Sequence, residues 1–347
     1  MSLILDVVLL LVSFAVILLG AELFTNAIEW FGRKLGLGTG MVGSVLAAVG
    51  TALPETMIPI IALVFVGGAA AEEIGIGAIL GAPFMLSTAA MFVTGTAVLI
   101  FARRGRRAKT LKIDQRIVGR DLRFFLVMYI AAIVLGLPLY DKPVWLRIAA
   151  GVALVAAYVL YVYRTSRDPH GEHEGDEELN PLRLQPNLTT PHMRVVVAQL
   201  IVSLAAIAGG AQLFVREITV LAPVFGITPL VLSLVIAPLA TELPEKFNSV
   251  LWVRQRKDTL AMGNISGAMV FQSCIPVAVG LWYTPWVLDQ VAIASAVIAV
   301  AAGLLLQVFL RPGSILSGGQ LAFFGLFYAA FIVYVVGFYQ GPVPAIH

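Results

Sequence analysis

The chain has 347 residues, of which 59% are hydrophobic and 12% are charged. Soluble domains carry about 25% charged residues, so this composition excludes a soluble enzyme, a disordered chain and a nucleic-acid-binding protein. The formal net charge is +3, from 23 Lys and Arg against 20 Asp and Glu. A single cysteine excludes a disulfide framework, and the four scattered His fit no HExxH metal site. The sequence therefore predicts an all-α integral membrane protein.

Apolar stretches long enough to cross a bilayer as helices, about 20 residues each, follow one another along the chain. We place about ten of them, near 3–23, 38–66, 74–101, 124–140, 144–163, 195–222, 227–253, 259–281, 287–310 and 317–340. The first stretch has no positively charged residue before it, so we predict a retained helix rather than a cleaved signal peptide.

The positive charge alternates from loop to loop. Lys and Arg lie mainly in the loops after odd-numbered spans, and the loop from Arg103 to Arg123 is the most basic. Because cytoplasmic loops are enriched in Lys and Arg, both termini are predicted to lie outside. The expected location is a prokaryotic plasma membrane. The expected partners are the lipid bilayer and inorganic cations, and the sequence does not indicate the oligomeric state.

The longest polar segment, 164–194, separates two halves of similar size, 1–163 and 195–347. It holds His170, His173 and several acidic residues. We interpret it as a solvated, flexible cytoplasmic linker. A regulatory cation site in the same segment is the alternative.

The two halves are related by an internal repeat. At an offset of 190 residues, 20–24 aligns with 210–214, and the motif Thr-x-Leu-Pro-Glu at 51–55 aligns with its copy at 241–245. Identity at such polar positions inside two apolar spans is not expected by chance. Five spans in each half, an odd number, predict two inverted-topology five-helix repeats, an architecture found in transporters.

The repeated motif places two carboxylates, Glu55 and Glu245, deep inside apolar spans. An intramembrane carboxylate costs several kcal/mol unless it has a partner or faces a polar cavity. Thr51 and Thr241 lie four residues before the acids, so each Thr–Glu pair is predicted to share one helix face. The repeat predicts that the two faces meet.

The prolines of the motif add oxygen ligands to this site. Pro54 and Pro244 cannot donate to the carbonyls of Gly50 and Ala240, which leaves these oxygens free. Two carboxylates with carbonyl and hydroxyl oxygens match Ca²⁺, which takes about 6–8 oxygen ligands. The alternative is that the prolines only kink the helices and that both acids are protonated and hydrogen-bonded.

Further polar residues are possible members of the site. Asn264 and Gln272 lie in the eighth span and are candidate lining groups. Glu242 is an additional acid, which we interpret as paired with Lys246 on one helix, the lysine reaching toward the cytoplasmic surface. A third site carboxylate or a proton carrier is the alternative role for Glu242. The glycine-rich stretches of spans three and eight are predicted to pack closely against other helices.

These features resemble the cation/Ca²⁺ exchanger superfamily, whose two alpha-repeats look like the stretches 45–90 and 235–280. The resemblance implies that Glu55 and Glu245 bind Ca²⁺ and that Ca²⁺ is exchanged for H⁺ or Na⁺ by alternating access. It implies Thr51 and Thr241 as neighbouring ligands.

The chain departs from the Na⁺-coupled members at several positions. Where these members usually carry Ser or Asn, this chain has Ala52, Ala82, Leu86 and Ala268. A proton needs only one carboxylate, so an outward-directed pH gradient is predicted to drive Ca²⁺ better than an equal Na⁺ gradient.

Three alternatives to a Ca²⁺ antiporter remain open. An intramembrane enzyme would need catalytic residues inside the spans, but all Asp residues are predicted at span ends or in loops. A membrane protein that keeps the fold without transporting is the second alternative, and an antiporter for another cation is a third. No GxxxxGK[ST] motif is present, so we expect neither a nucleotide nor a cofactor.

Overall fold

The computed structural model describes residues 3–35, 47–137, 142–166, 179–311 and 315–338. Within these ranges the chain is helical, with turns and one isolated β-bridge between Thr110 and Ser317. The α-helices are, in chain order, α1 Leu3–Lys34, α2 Ala47–Ile60, α3 Ala69–Met85, α4 Met91–Arg103, α5 Gln115–Gly136, α6 Val144–Ser166, α7 Met193–Val224, α8 Pro229–Thr241, α9 Leu243–Arg254, α10 Asp258–Gln272, α11 Ile275–Tyr283, α12 Gln290–Phe309, α13 Gly318–Phe323 and α14 Gly325–Phe338. Two π-helical segments, Ile61–Val66 and Leu86–Ala90, follow α2 and α3.

The described helices form ten successive segments of membrane-spanning scale, because α2, α3, α8, α10 and α13 each continue into a second helical piece. Seven of the ten are long and apolar enough to cross a membrane by length and composition. Prolines interrupt 47–66 and 229–254, and α5 carries several charges in its first turns. The all-α fold with about ten spans is confirmed.

The first helix of each half shows the repeat most clearly. α1 and α7 each have 32 residues, and their first and last residues correspond at an offset of 190. At 1.5 Å per residue each is about 48 Å long, more than the roughly 30 Å of a bilayer core. The predicted end of the first span at residue 23 is therefore wrong, because the helix continues beyond the apolar stretch to Lys34.

α1 and α7 cross at a pair of glycines related by the repeat. A Cβ on Gly20 would lie 2.8 Å from Ile207 Cγ1, and a Cβ on Gly210 would lie 2.8 Å from Ile17 Cγ1. Both contacts map onto each other at the offset of 190. The two halves are thus packed around a local pseudo-twofold relation, which is what an inverted repeat requires.

α3 packs closely on α8 through glycines of the third span. A Cβ on Gly77 or Gly81 would overlap the carbonyl oxygen of Leu230 or Leu234, respectively. The Leu234 carbonyl, which Pro238 leaves without a helical donor, thus faces α3 at a position where only glycine fits. Close packing of these two glycines is confirmed. For Gly263 and Gly267 no described atom lies within 4 Å, so their close packing stays a prediction.

The segment before α7 packs against α1. The Trp30 indole Nε1 donates to the Asn180 carbonyl at 2.9 Å, Asn26 contacts the same segment, and Leu182 is fully buried. The prediction of a flexible linker is therefore wrong for 179–192, because α1 extends far enough to offer a packing surface. The stretch that contains His170 and His173 lies outside the described residues.

A buried ion pair joins the basic α4–α5 loop to the second half. The Arg107 guanidinium contacts the Asp258 carboxylate twice, at 2.8 and 2.9 Å, and the Lys112 amide donates to the same carboxylate at 2.8 Å. Both ionic side chains are nearly inaccessible, with exposures of 3% and 4%. The loop that carries most of the positive charge is thus fixed to the start of α10.

Candidate ion-binding site

The first candidate carboxylate, Glu55, lies in the middle of α2. Pro54 and Pro59 both lie inside this helix, and Pro59 cannot donate to the Glu55 carbonyl. The Glu55 side chain is buried, at 5% exposure, and neither carboxylate oxygen accepts a hydrogen bond within the described residues. The helix therefore holds an acid in an apolar interior without a neutral partner.

The second carboxylate, Glu245, lies at the start of α9, just after a break in the seventh span. α8 ends at Thr241, Glu242 adopts φ −90° and ψ 10°, and Leu243 begins α9. Pro244 occupies the first turn of the new helix, where its missing amide hydrogen is tolerated. The helix is interrupted for one residue between Thr241 and Glu245, and their position on one face stays a prediction.

The two motif acids and Glu242 lie within electrostatic range of one another. The Glu55 carboxylate interacts electrostatically with those of Glu245 and Glu242 and with the Lys246 ammonium. Glu242 in turn interacts with Glu245 and Lys246. The fold thus brings acids from the two repeats into one cluster, as the inverted repeat predicts.

Most of the carboxylate oxygens in this cluster lack hydrogen bonds. Both oxygens of Glu55, both of Glu242 and Oε2 of Glu245 are buried and accept none within the described residues. Buried polar atoms without a partner are rare in folded proteins, so the oxygens of Glu55 and Glu245 in this set are available to a cation. No three acidic, Cys or His side chains among the described residues are arranged to hold a metal ion together. Neutral oxygens would have to complete a coordination shell.

Lys246 does not reach toward the membrane surface. Its Nζ lies 3.3 Å from Glu242 Oε2 and donates to the Pro238 carbonyl at 3.2 Å, and the residue is only 7% exposed. The predicted pairing of Glu242 with Lys246 is confirmed, but the predicted reach toward the surface is wrong. The lysine instead shares the Pro238 carbonyl with the Glu242 amide, which donates to the same oxygen at 3.1 Å.

The structure describes only some of the residues that were predicted to supply neutral oxygens to the site. The Thr241 hydroxyl is buried and donates to the Ala237 carbonyl at 3.0 Å, which leaves its lone pairs free. Gly50 and Ala240 lie in α2 and in the last turn of α8. The side chain of Thr51 lies outside the described part of the chain. The roles of these four residues as ligands stay predictions.

The two possible lining residues of the eighth span lie on α10. The Asn264 side-chain amide donates to the Glu245 carbonyl at 3.5 Å, which places it beside the cluster. Gln272 is buried at the end of α10, and its Oε1 accepts no hydrogen bond within the described residues. Asn264 therefore lies at the site, whereas no contact with the carboxylates places Gln272 there.

The structure also contains a buried acid that our sequence interpretation assigned to a span end. α5 begins at Gln115, so Asp121 lies inside the helix and is 4% exposed. Its carboxylate accepts hydrogen bonds from the Tyr161 hydroxyl and, at 2.7 Å, from the Ser266 hydroxyl. Since both oxygens have partners, this acid links α5, α6 and α10 rather than offering a free ligand. The sequence analysis began this span at residue 124, because the charged residues of the first turns of α5 lower its hydropathy.

Comparison with known proteins places this architecture in a family. The profile of the sodium/calcium exchanger protein family matches residues 5–166 and 195–340, which leaves out most of the segment between the halves. The inner membrane protein YrbG of Escherichia coli (strain K12) is 23% identical over 333 residues, covering 92% of this chain and 96% of YrbG.

Two solved structures share the fold. The crystal structure of the H⁺/Ca²⁺ exchanger CAX has a TM-score of 0.70 at 16% identity, covering 97% of this chain and 83% of that one. The sodium-calcium exchanger NCX_Mj has a TM-score of 0.57 at 21% identity, covering 97% and 100%. With the family profile matching both halves, the chain belongs to the sodium/calcium exchanger protein family, whose members are transporters and not enzymes.

Proposed function

We propose that this protein is a secondary antiporter that moves Ca²⁺ across the membrane by alternating access, with Glu55 and Glu245 as its charged ligands. The observation that carries the proposal is the cluster of buried carboxylates from both repeats, whose oxygens lack hydrogen-bond partners. Such oxygens inside a membrane protein have a large energetic cost that a bound cation removes. The structural neighbours, the H⁺/Ca²⁺ exchanger CAX and the sodium-calcium exchanger NCX_Mj, support the same substrate.

We infer that H⁺ rather than Na⁺ is the counter-ion. Na⁺ is held by several oxygens, and Ala82, Leu86 and Ala268 supply no side-chain oxygen in the third and eighth spans. A proton needs only a single carboxylate oxygen, and the cluster offers several that accept no hydrogen bond. Ca²⁺ and protons would then compete for the same atoms, which makes binding of the two mutually exclusive.

The orientation and the domain limits form part of the proposal. The halves 1–163 and 195–347 act as the two repeats, with 164–194 connecting them on the cytoplasmic side. Both termini lie outside, because the basic loops, including the one held by Asp258, are retained in the cytoplasm. Neither resident cofactor nor nucleotide takes part, since the energy comes from the ion gradient.

Transport by the purified protein in liposomes tests the proposal. Uptake of radiolabelled Ca²⁺ is measured under an imposed pH gradient and, separately, under an equal Na⁺ gradient. We expect the pH gradient to drive uptake more strongly and acid on the Ca²⁺-binding side to slow it. Robust Na⁺-driven uptake that ignores pH would contradict H⁺ coupling. Absence of Ca²⁺ movement under both gradients would favour another cation or a non-transporting role.

A further inference from the structure

Lys246 occupies an unusual place for a lysine in a membrane protein. Long basic side chains near helix ends ordinarily extend to the membrane surface, where water solvates the charge. The Lys246 side chain instead lies inside the protein, with 9% of it exposed. Its ammonium therefore has to be stabilised by groups of the protein.

The ammonium of Lys246 contacts two oxygens near the break between α8 and α9. The Pro238 carbonyl accepts from Lys246 Nζ at 3.2 Å and also from the Glu242 amide at 3.1 Å. The second oxygen, Glu242 Oε2, lies 3.3 Å from Nζ. A carbonyl and a carboxylate are the oxygen ligands that hard cations bind. The ammonium thus lies against two oxygens of the kind that bind hard cations, and a free monovalent cation in its place would need further oxygens to complete its shell.

The charges of the cluster fit this interpretation. Three carboxylates and one ammonium, when all are ionised, leave two negative charges, which one divalent cation balances. Without the ammonium the cluster would carry three, and a divalent cation would leave one buried carboxylate uncompensated. An uncompensated charge in a membrane interior is costly.

We propose that the Lys246 ammonium is a tethered cation that fills a second cation-binding place beside the transport site, formed by the Pro238 carbonyl and the Glu242 carboxylate. This inference rests on the proposed function and adds to it. The second place takes monovalent cations, and the lysine keeps it permanently occupied. Glu242 is thereby removed from the set of ligands that the transported ion uses, and Lys246 becomes a determinant of which ions the site accepts.

Exchange of Ca²⁺ for Ca²⁺ across a liposome membrane tests the proposal, because it needs no counter-ion gradient. Wild type is compared with Lys246→Met and with the double variant Glu242→Gln/Lys246→Met. The medium is alkaline and contains choline as its monovalent cation, so that neither protons nor small cations fill the second place. We expect Lys246→Met to lose roughly tenfold or more in exchange rate, because one partner of a buried ion pair is missing.

Added Na⁺ or K⁺ then separates a cation-binding place from a merely structural ion pair. We expect these ions to restore exchange in Lys246→Met in a saturable manner and not to increase it in wild type. The double variant should exchange in choline alone and gain nothing from the added ions, because the second place then holds no carboxylate. The same pattern is expected in detergent, where Na⁺ or K⁺ should raise the unfolding temperature of Lys246→Met alone.

Two results would overturn the tethered cation. One is a Lys246→Met variant that responds to Na⁺ and K⁺ no differently from wild type in both assays. The other is a folded double variant that still requires added cations. If wild type itself exchanges no Ca²⁺, the proposed function fails and the role of Lys246 in transport fails with it. The wild-type measurement therefore distinguishes the two failures.

Discussion

At the scale of single residues, this protein is defined by charges placed where water cannot reach them. Glu55, Glu242 and Glu245 have oxygens without hydrogen bonds, whereas the carboxylate of Asp258 is satisfied by Arg107 and a backbone amide. The first kind of acid costs stability and is suited to bind an ion. The second kind contributes to holding the fold together.

Removing either motif carboxylate should abolish Ca²⁺ movement. Glu55→Gln and Glu245→Gln each take away one charge facing the divalent ion but keep the shape of the side chain. Radiolabelled Ca²⁺ uptake into liposomes is the measurement. Glu217→Gln is the control, because the Glu217 side chain is also inaccessible to solvent and lacks hydrogen bonds within the described residues but lies on α7 beside Arg216, outside the cluster. Near wild-type uptake by either site variant would show that the site is misplaced.

Breaking the buried ion pair at the loop should destabilise the protein strongly. Asp258→Asn leaves the Arg107 guanidinium buried without a counter-charge, which costs about 3–5 kcal/mol. Unfolding in detergent measures the effect. Glu22→Gln is the control, since the Glu22–Arg183 pair is more than half exposed and should contribute under about 1 kcal/mol. Equal effects of the two variants would contradict the importance of burial.

At the scale of helices, the architecture depends on close approaches that glycines permit and on one interrupted helix. α1 crosses α7 at Gly20 and Gly210, and α3 rests on the carbonyls of α8 at Gly77 and Gly81. The interruption at Glu242 divides the seventh span, so that Glu245 lies in the first turn of a new helix. These contacts bring α2 and α9, which carry the two motif acids, into the same region.

Enlarging either crossing glycine should force α1 and α7 apart. Gly20→Val and Gly210→Val are each expected to cost about 1–3 kcal/mol, because the added atoms overlap Ile207 or Ile17. The two effects should be similar, since the contacts are related by the repeat. Gly209→Val is the control, because no described atom lies within 4 Å of a Cβ there. Thermal unfolding in detergent gives the comparison, and a destabilised Gly209→Val would argue against this explanation.

At the scale of the whole molecule, the inverted repeat determines how the chain enters the membrane. An odd number of spans in each half reverses the second half, so that the two acidic motifs approach the bilayer centre from opposite sides. The basic loop between α4 and α5, fixed to α10 by Arg107, is predicted to lie on the cytoplasmic side, because Lys and Arg are enriched in cytoplasmic loops.

Cysteine labelling in intact cells tests this orientation. A cysteine at Ala69, three residues before Glu72, should react with a membrane-impermeant reagent from outside. A cysteine at Lys109 should react only after the membrane is permeabilised. Both positions are exposed, and the native Cys274 is buried and should give little background. Labelling of Lys109→Cys from outside would reverse the proposed topology.

The sequence by itself determined the membrane class, the approximate spans, the repeat and the two central acids. Hydropathy depends on composition alone, and a motif inside an apolar stretch is visible without coordinates. The ends of the helices could not be predicted as well, because α1 and α5 continue through charged residues that hydropathy excludes from a span. The packing of 179–192 on α1 was also missed, because the part of α1 that this segment contacts lies beyond the predicted end of the first span.

The tertiary structure alone decided the chemistry around the two acids. The sequence predicted that Lys246 pairs with Glu242 and extends toward the surface. In the structure the ammonium lies inside the protein, where it donates to the Pro238 carbonyl and pairs with Glu242. Whether an ion pair is buried or exposed depends on the neighbouring helices that exclude water, and the local sequence does not contain that information.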